Sequence, residues 1–413
     1  MPSMHVGTIT FDWYFTDARV IRLVEAAAGA GCKVDVICLR QPHQKYYEVC
    51  NGVHIYRVPM SRGFGRPLPI TILCWCWFLV LAGITVTWLH LRHPYDVIDV
   101  HNMPDFLVFS TLLPKLSGAK IVLDVQDVSP ELMAVKASKR LRGLVVRMAI
   151  WQERISTGFA DYVITAGWPF EKLLLQRGVP QDKLAVIINS ADPKFFPPSR
   201  RSASLLPEAS EDQRPFILMY HGTLARRNKL EIAIHALALA RRVVPHLRLD
   251  IQGQGEQVPF LKRLAAELGV SDHVVFSNPC PPEEVVDFVL HGDLGIIPYG
   301  CDGFMELVLP TKCYEYAWMR IPMIASDTPA IRSMFRPESI VLCDPTSPES
   351  FAGAIIDLYQ HPEKRAQMVA AAAEDYEPYR WELVAERYIQ LLTGLSRKQA
   401  QKQRFIASEE GEL

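Results

Sequence analysis

Short apolar, β-branched runs alternate with helical stretches from one end of the chain to the other, and the alternation breaks once. Such a pattern predicts parallel, doubly wound sheets. In the first half the runs fall at 5–9, 33–39, 54–58, 96–100, 120–125, 162–165 and 185–188. Residues 19–30 read as a helix that Gly31 closes in a left-handed conformation. The break spans 192–215, where Pro193, Pro197, Pro198, Pro207 and Pro215 sit among serines and mixed charges, the composition of a linker. A second series then begins at 216–220, 248–251, 273–276, 294–297, 323–325 and 340–342, with closing helices at 348–360, 362–374 and 381–395. The 413 residues therefore divide into an N-terminal α/β domain over 1–191, the linker 192–215 and a C-terminal α/β domain over 216–378. A helix over 379–396 is expected to return to the N-domain, and 397–413 reads as a polar, frayed tail.

Composition removes several function classes. Lys+Arg 44 balance Asp+Glu 45, so the basic excess of a nucleic-acid binder is missing. Nine cysteines are scattered without a C-x-x-C pair, which argues against a zinc site and a disulfide framework and fits a reducing cytoplasm. The opening MPSMHVGTIT runs into a strand, so no secretory leader is expected.

No charged residue occurs over 67–89, a stretch long and apolar enough to cross a bilayer. Spanning would strand one half of the sheet on each side of the membrane. The reading is instead a helix lying in the interface, with Trp75, Trp77 and Trp88 at headgroup level, or a buried crossover helix. Over 136–154, Lys136, Lys139, Arg140, Arg142 and Arg147 interleave with Leu141, Leu144, Val145, Val146 and Ile150. That mixture suits an anionic membrane surface or a solvated helix face.

The densest chemistry lies in 309–326, LPTKCYEYAWMRIPMIAS, which packs a turn, a short helix and a buried strand together. Pro310 and Thr311 supply a helix start, the threonine oxygen being able to cap an orphan N–H. A helix N-terminus beside Lys312 suits a phosphate, and Glu315 one turn further in suits ribose hydroxyls.

With this stretch, the segments TDARVIRLVEAAAGAGCKVDVICLR, VHIYRVP, YDVIDVHNMPD, LDVQDVSPE, HGTLARRNKLEIAIHAL, QGQG and DLGIIPY resemble, in their order, the retaining glycosyltransferases of the GT-B fold, family four. The resemblance implies two Rossmann-like domains facing across a cleft, with the nucleotide held mainly by the C-terminal one. Glu315 then corresponds to the ribose-binding glutamate, and Pro310, Thr311 and Lys312 meet the diphosphate. Gly222, Thr223, Gly253 and Gly255 let backbone approach the nucleotide without a Cβ clash. Arg226, Arg227 and Lys229 fall near the family's basic pair, which neutralises the leaving diphosphate in place of a metal.

In the N-domain the resemblance sets two loops toward sugar and acceptor. His101 would orient the sugar or accept a hydroxyl proton, and Asp127 would be the acceptor-side base. Asn102, Asp105 and Glu131 belong to the same loops, Asp105 also reading as a helix cap. Departures from the family pattern are Glu306, one place off a second glutamate, Asn228–Lys229 for lysine–glycine, Gln126 for histidine and Arg320 for glycine. The implied activity is transfer of a sugar, with retention and without cofactor or metal, from a nucleotide-diphosphate donor. The acceptor would be a lipid-linked saccharide or surface-glycan precursor at the cytoplasmic membrane face. A sugar-nucleotide epimerase and a non-catalytic subunit that recruits a partner to the membrane are the alternatives.

Overall fold

The computed structural model describes residues 4–60, 68–137, 140–200 and 214–410. Pro67, Lys139 and most of the expected linker lie outside the described residues. Two compact units emerge, Met1–Ile188 with Glu382–Leu413, and Asn189–Trp381.

The first unit holds strands β1 (His5–Trp13), β2 (Lys33–Leu39), β3 (Tyr47–Cys50), β4 (Val53–Val58), β5 (Val97–His101), β6 (Lys120–Val125), β7 (Tyr162–Thr165) and β8 (Leu184–Val186). They form an eight-stranded sheet in the order β3-β4-β2-β1-β5-β6-β7-β8. Every pairing is parallel except β3 with β4. Strand β3 escapes the apolar-run reading because it is an edge strand, with Tyr47 and Val49 about half exposed. Asn51 and Gly52 both take positive φ between β3 and β4, the backbone of a tight hairpin.

The helix Leu68–Arg92 joins β4 to β5, two strands of the same sheet. It buries one stripe, Phe78, Ala82, Val86 and Leu89, on the helical period. Leu73, Trp77, Val80, Ile84, Trp88 and Leu91 are exposed, and only 17% of its most apolar window is buried. A buried crossover helix is therefore excluded, because the outward face is as apolar as the inward one. Trp75 differs from the other two tryptophans in being half-buried, edge-on to Phe106 at 6.4 Å. On the helix Arg142–Phe159 the exposed apolar stripe is Leu144, Met148, Trp151 and Ile155, whereas Val145, Val146 and Ile150 are half-buried.

The second unit holds β9 (Phe216–His221), β10 (Leu247–Gln252), β11 (Val274–Ser277), β12 (Leu294–Ile297), β13 (Met323–Ser326) and β14 (Val341–Cys343). Its parallel order, β11-β10-β9-β12-β13-β14, is the 3-2-1-4-5-6 arrangement of dinucleotide-binding folds. The strand order reverses between β9 and β12, and in such sheets ligands bind at the carboxyl ends beside that switch.

Part of the expected linker is built into this unit. Within it, Phe196 is 5% exposed and its carbonyl accepts from Trp318 Nε1 at 2.7 Å; Ala191, expected in the N-domain, also belongs here, its N donating to the Tyr376 hydroxyl at 3.0 Å. A frayed tail is also not what forms: the last helix runs unbroken from Trp381 to Glu410. Its Tyr388 hydroxyl donates to Asp99 Oδ2 at 2.7 Å inside the first unit. All nine cysteines are free thiols.

Candidate functional site

At the switch point of the second unit, His221 ends β9, and Gly222 turns the chain away at φ +115°. Gly253, at φ +147°, lies so close that a Cβ on it would stand 1.9 Å from the Gly222 carbonyl oxygen. A Cβ on Gly255 would meet the Leu224 carbonyl oxygen at 2.3 Å. These contacts are backbone on backbone, so no side chain can move aside to admit even a methyl group. Asn228 fastens the turn from below, donating to the Tyr220 hydroxyl at 2.9 Å and the Thr223 carbonyl at 2.6 Å.

The helix Thr311–Met319 points its start at the same turn. Pro310, not Thr311, is its N-cap residue, and no side chain caps it, which corrects the threonine-cap expectation. Uncapped N–H groups at a helix start are an anion site. Lys312 is buried, and its Nζ would lie 2.9 Å from a Cβ on Gly222. Burial alone would lower its pKa, but Tyr220, Tyr299 and Glu315 outweigh that and hold it above the usual lysine range. The ammonium sits 4.7 Å from the Tyr220 ring centre and 5.8 Å from that of Tyr299. Glu315, on the second turn, places Oε2 3.1 Å from His221 Nε2.

A cavity of about 270 Å³ opens beside this turn, lined by His221, Gly222, Thr223, Gln252, Gly253 and Cys280 among others. Gln252 Oε1 is buried on its edge with no hydrogen-bond partner among the described residues. An unsatisfied buried acceptor in a polar cavity needs an outside donor. His221 and Gln252 were absent from the expected site, although each directly precedes an expected glycine turn. Arg226 and Arg227 are exposed, and Lys229 Nζ lies 3.4 Å from Glu231. Lys229 occupies a left-handed conformation, φ +50°, at the place where the family pattern has glycine.

The first unit corrects most of the expected acceptor side. His101 is 1% exposed, and its ring nitrogens face Asp124 at 3.1 Å and Asp99 at 3.5 Å. Burial opposes the charged ring, but the Asp99 and Asp124 carboxylates outweigh it and lift the pKa to about 9. A ring buried between two carboxylates, with Gln126 Nε2 also 2.9 Å from its Nδ1, is enclosed by the chain's own groups rather than presented to an acceptor hydroxyl. Arg19 grips Asp124 through Nε at 2.6 Å and Nη2 at 3.0 Å, and donates to the Ile187 carbonyl at 2.6 Å. Burial would raise Asp124, yet Arg19 and His101 hold its pKa below the ordinary range. Asp99, His101 and Asp124 could reach a common metal ion by distance, but Arg19 and the His101 ring already engage Asp124, and burial pushes the Asp99 carboxyl above its ordinary range.

Asn102 and Asp105 are structural as well. Asn102 Nδ2 donates to Asp105 Oδ1 at 2.8 Å and to the Asp127 carbonyl at 2.7 Å, while its Oδ1 accepts from Gln126 N at 2.8 Å. Asp105 is 1% exposed and also accepts from Ser129 Oγ at 3.0 Å, so it neither caps a helix nor faces an acceptor. Glu131 is tied to Arg177, which also binds Glu153. Asp127, on the loop before the helix Ser129–Lys136, and Glu131, within that helix, both keep half-buried positions.

Two Rossmann-type units, the second with the strand order of dinucleotide-binding folds and an uncapped helix start beside a buried lysine, define the GT-B fold class. Residues 205–375 match the family described as "Glycosyl transferases group 1", and 16–190 match "Glycosyl transferase 4-like domain". The chain belongs to the group 1 glycosyltransferases.

It is 23% identical over 260 residues to D-inositol 3-phosphate glycosyltransferase of Thermomonospora curvata, covering 59% of each chain. Over 210 residues it is 27% identical to the GDP-mannose-dependent alpha-(1-6)-phosphatidylinositol monomannoside mannosyltransferase of Mycolicibacterium smegmatis, covering 49% of this chain and 53% of that one. The matches span little more than half the length of these relatives. In fold it is similar to sucrose-phosphate synthase from Thermosynechococcus elongatus, with a TM-score of 0.74, 18% identity and coverage of 95% and 99%. Anabaena HepE in complex with UDP gives 0.67, 14% identity and coverage of 95% and 100%.

Proposed function

We propose that the protein transfers a sugar from a nucleoside-diphosphate donor, with retention of configuration, to a lipid-linked saccharide or surface-glycan precursor at the cytoplasmic face of a membrane. One observation carries the donor half: a buried Lys312 ammonium and an uncapped helix start converge on the Gly222 turn, with Glu315 one turn behind. The diphosphate takes the helix N–H groups and Lys312, and Glu315 accepts from the ribose hydroxyls. Arg226 and Arg227, exposed on the adjoining loop, approach the leaving phosphate and supply charge that a metal provides elsewhere. Retention follows a front-face displacement in which the departing phosphate oxygen takes the acceptor proton, consistent with a His101 ring buried between Asp99 and Asp124.

The acceptor half rests on the outward apolar face of Leu68–Arg92 and the basic, apolar-striped helix Arg142–Phe159. The mannosyltransferase relative, by its name, acts on a phosphatidylinositol mannoside, which supports a lipid acceptor for this chain. The test is incubation of the full chain with UDP- and GDP-sugars and a membrane lipid extract. Sugar should appear in the lipid fraction with the anomeric configuration of the donor. Failure of every nucleoside diphosphate to raise the melting temperature would remove the donor assignment. Product with inverted configuration would remove retention.

A further inference from the structure

A second pocket lies in the first unit. It measures about 480 Å³, and its wall includes Tyr46, Tyr47, Tyr56, Leu81, Thr85 and Trp88. That volume falls within the roughly 300–1,000 Å³ of small-molecule sites. Leu81, Thr85 and Trp88 follow one another at helical spacing on Leu68–Arg92, so they form a stripe beside the buried one. The pocket is thus roofed by the helix and floored by the β3–β4 hairpin. Next to that stripe, Val80, Ile84 and Leu91 are exposed, so Leu81 and Trp88 of the lining adjoin the outward apolar face of the helix.

The rim is cationic. Arg40 stacks over Tyr46 at 4.1 Å and Arg92 over Trp88 at 3.6 Å, both rings being part of the wall. Arg57 also lines the pocket and is 4% exposed. Its Nη1 donates to the Lys45 carbonyl at 3.0 Å and Nη2 pairs with Glu48. Nε, however, is buried with no hydrogen-bond partner among the described residues. A buried guanidinium donor left unsatisfied beside an open pocket calls for an acceptor from outside the chain.

We infer that this pocket binds an anionic membrane lipid, seating its phosphate against Arg57 between Arg40 and Arg92 and one hydrocarbon chain along Leu81, Thr85 and Trp88. Apolar wall, cationic rim and continuity with a lipid-long apolar helix call for the two ends of one amphiphile. The inference rests on the reading that Leu68–Arg92 faces lipid, and is independent of the donor chemistry.

The probe is dihexanoyl phosphatidic acid below its micelle concentration, titrated calorimetrically into the full chain. Dihexanoyl phosphocholine, inorganic phosphate and a soluble maltooligosaccharide are the comparisons. The expected result is saturable binding of phosphatidic acid at least ten times tighter than of either phosphorus-containing comparison, and none of the sugar. Thr85→Trp, which fills the pocket, should weaken it at least tenfold. Arg92→Glu, a surface change, should weaken it three- to tenfold. UDP or GDP stabilisation, measured on each variant, reports an intact second unit. Binding by Thr85→Trp and Arg92→Glu unchanged from the unsubstituted chain, equal affinity for phosphocholine or phosphate, or binding of the sugar alone would overturn the assignment. Lipid binding without nucleotide stabilisation would sink the glycosyl-transfer reading and leave this one standing.

Discussion

Nε2 of His221 lies 3.1 Å from Oε2 of Glu315, joining the end of β9 to the second turn of the helix Thr311–Met319. The His221 ring is itself held edge-on to Tyr316 at 5.6 Å and Phe288 at 6.4 Å. The pair thus links the Glu315 carboxylate to a histidine that itself lines the cavity beside Gly222.

Replacing Glu315 with glutamine keeps the shape and removes the charge. Charged hydrogen bonds are worth about 1.5–3 kcal/mol, so nucleoside-diphosphate affinity should fall roughly ten- to hundredfold. The melting temperature without ligand should move little. Calorimetric titration of UDP and GDP checks this, and an unchanged affinity would exclude Glu315 from the donor site.

Gly253 offers a sharper steric test. A methyl group there would stand 1.9 Å from the Gly222 carbonyl oxygen at φ +147°, so Gly253→Ala must push the two turns apart. Strain of this kind costs on the order of 1–3 kcal/mol, and the displaced Gly222 loop should lose nucleotide binding altogether. Thermal shift with and without nucleotide reads both effects. Normal stabilisation by nucleotide in this variant would mean that the turns do not contact the ligand.

The alternating apolar runs disclosed the two sheets because both are parallel and buried on both faces, so each strand reads as a short continuous block. Strand β3 did not follow that rule, yet Asn51-Gly52 between Cys50 and Val53 was a hairpin signal in plain view. The donor side was legible in the glycine turns and in Glu315, since backbone approach and helix starts leave local marks. His101 was not, because its two carboxylate neighbours come from different strands: Asp99 lies two residues away in β5 and Asp124 on β6. No spacing in one strand reports a charge delivered by the next. Burial likewise turned Asn102 and Asp105 from expected acceptor contacts into a clasp between two loops.

Arg320 ends the helix Thr311–Met319 in a left-handed conformation, φ +60° and ψ +46°, where the family pattern has glycine. A side chain in that region is strained by about 1 kcal/mol relative to glycine, partly offset by the greater freedom of glycine in the unfolded chain. Arg320→Gly should therefore stabilise the second unit by roughly 0.5–1 kcal/mol without altering nucleotide affinity. Urea unfolding checks the gain, and a loss of stability would show that the guanidinium makes a contact outweighing the strain.

The buried charge cluster predicts how the first unit responds to pH. His101 is lifted from 6.5 to about 9, so the folded chain binds a proton that the unfolded chain releases across that interval. Its contribution is complete below pH 6.5 and is lost as pH rises toward 9, on the order of 3 kcal/mol for a shift of this size. Glu153, raised chiefly by burial to about 7, acts with the same sign over its own lower interval from 4.5. Urea unfolding of the full chain, followed by fluorescence between pH 6.5 and 9, should show stability falling with pH. His101→Gln should flatten that slope while leaving the portion below pH 7 due to Glu153. A slope unchanged by the substitution would mean that the imidazole is neutral in the folded state, and would return His101 to the candidates for proton acceptor.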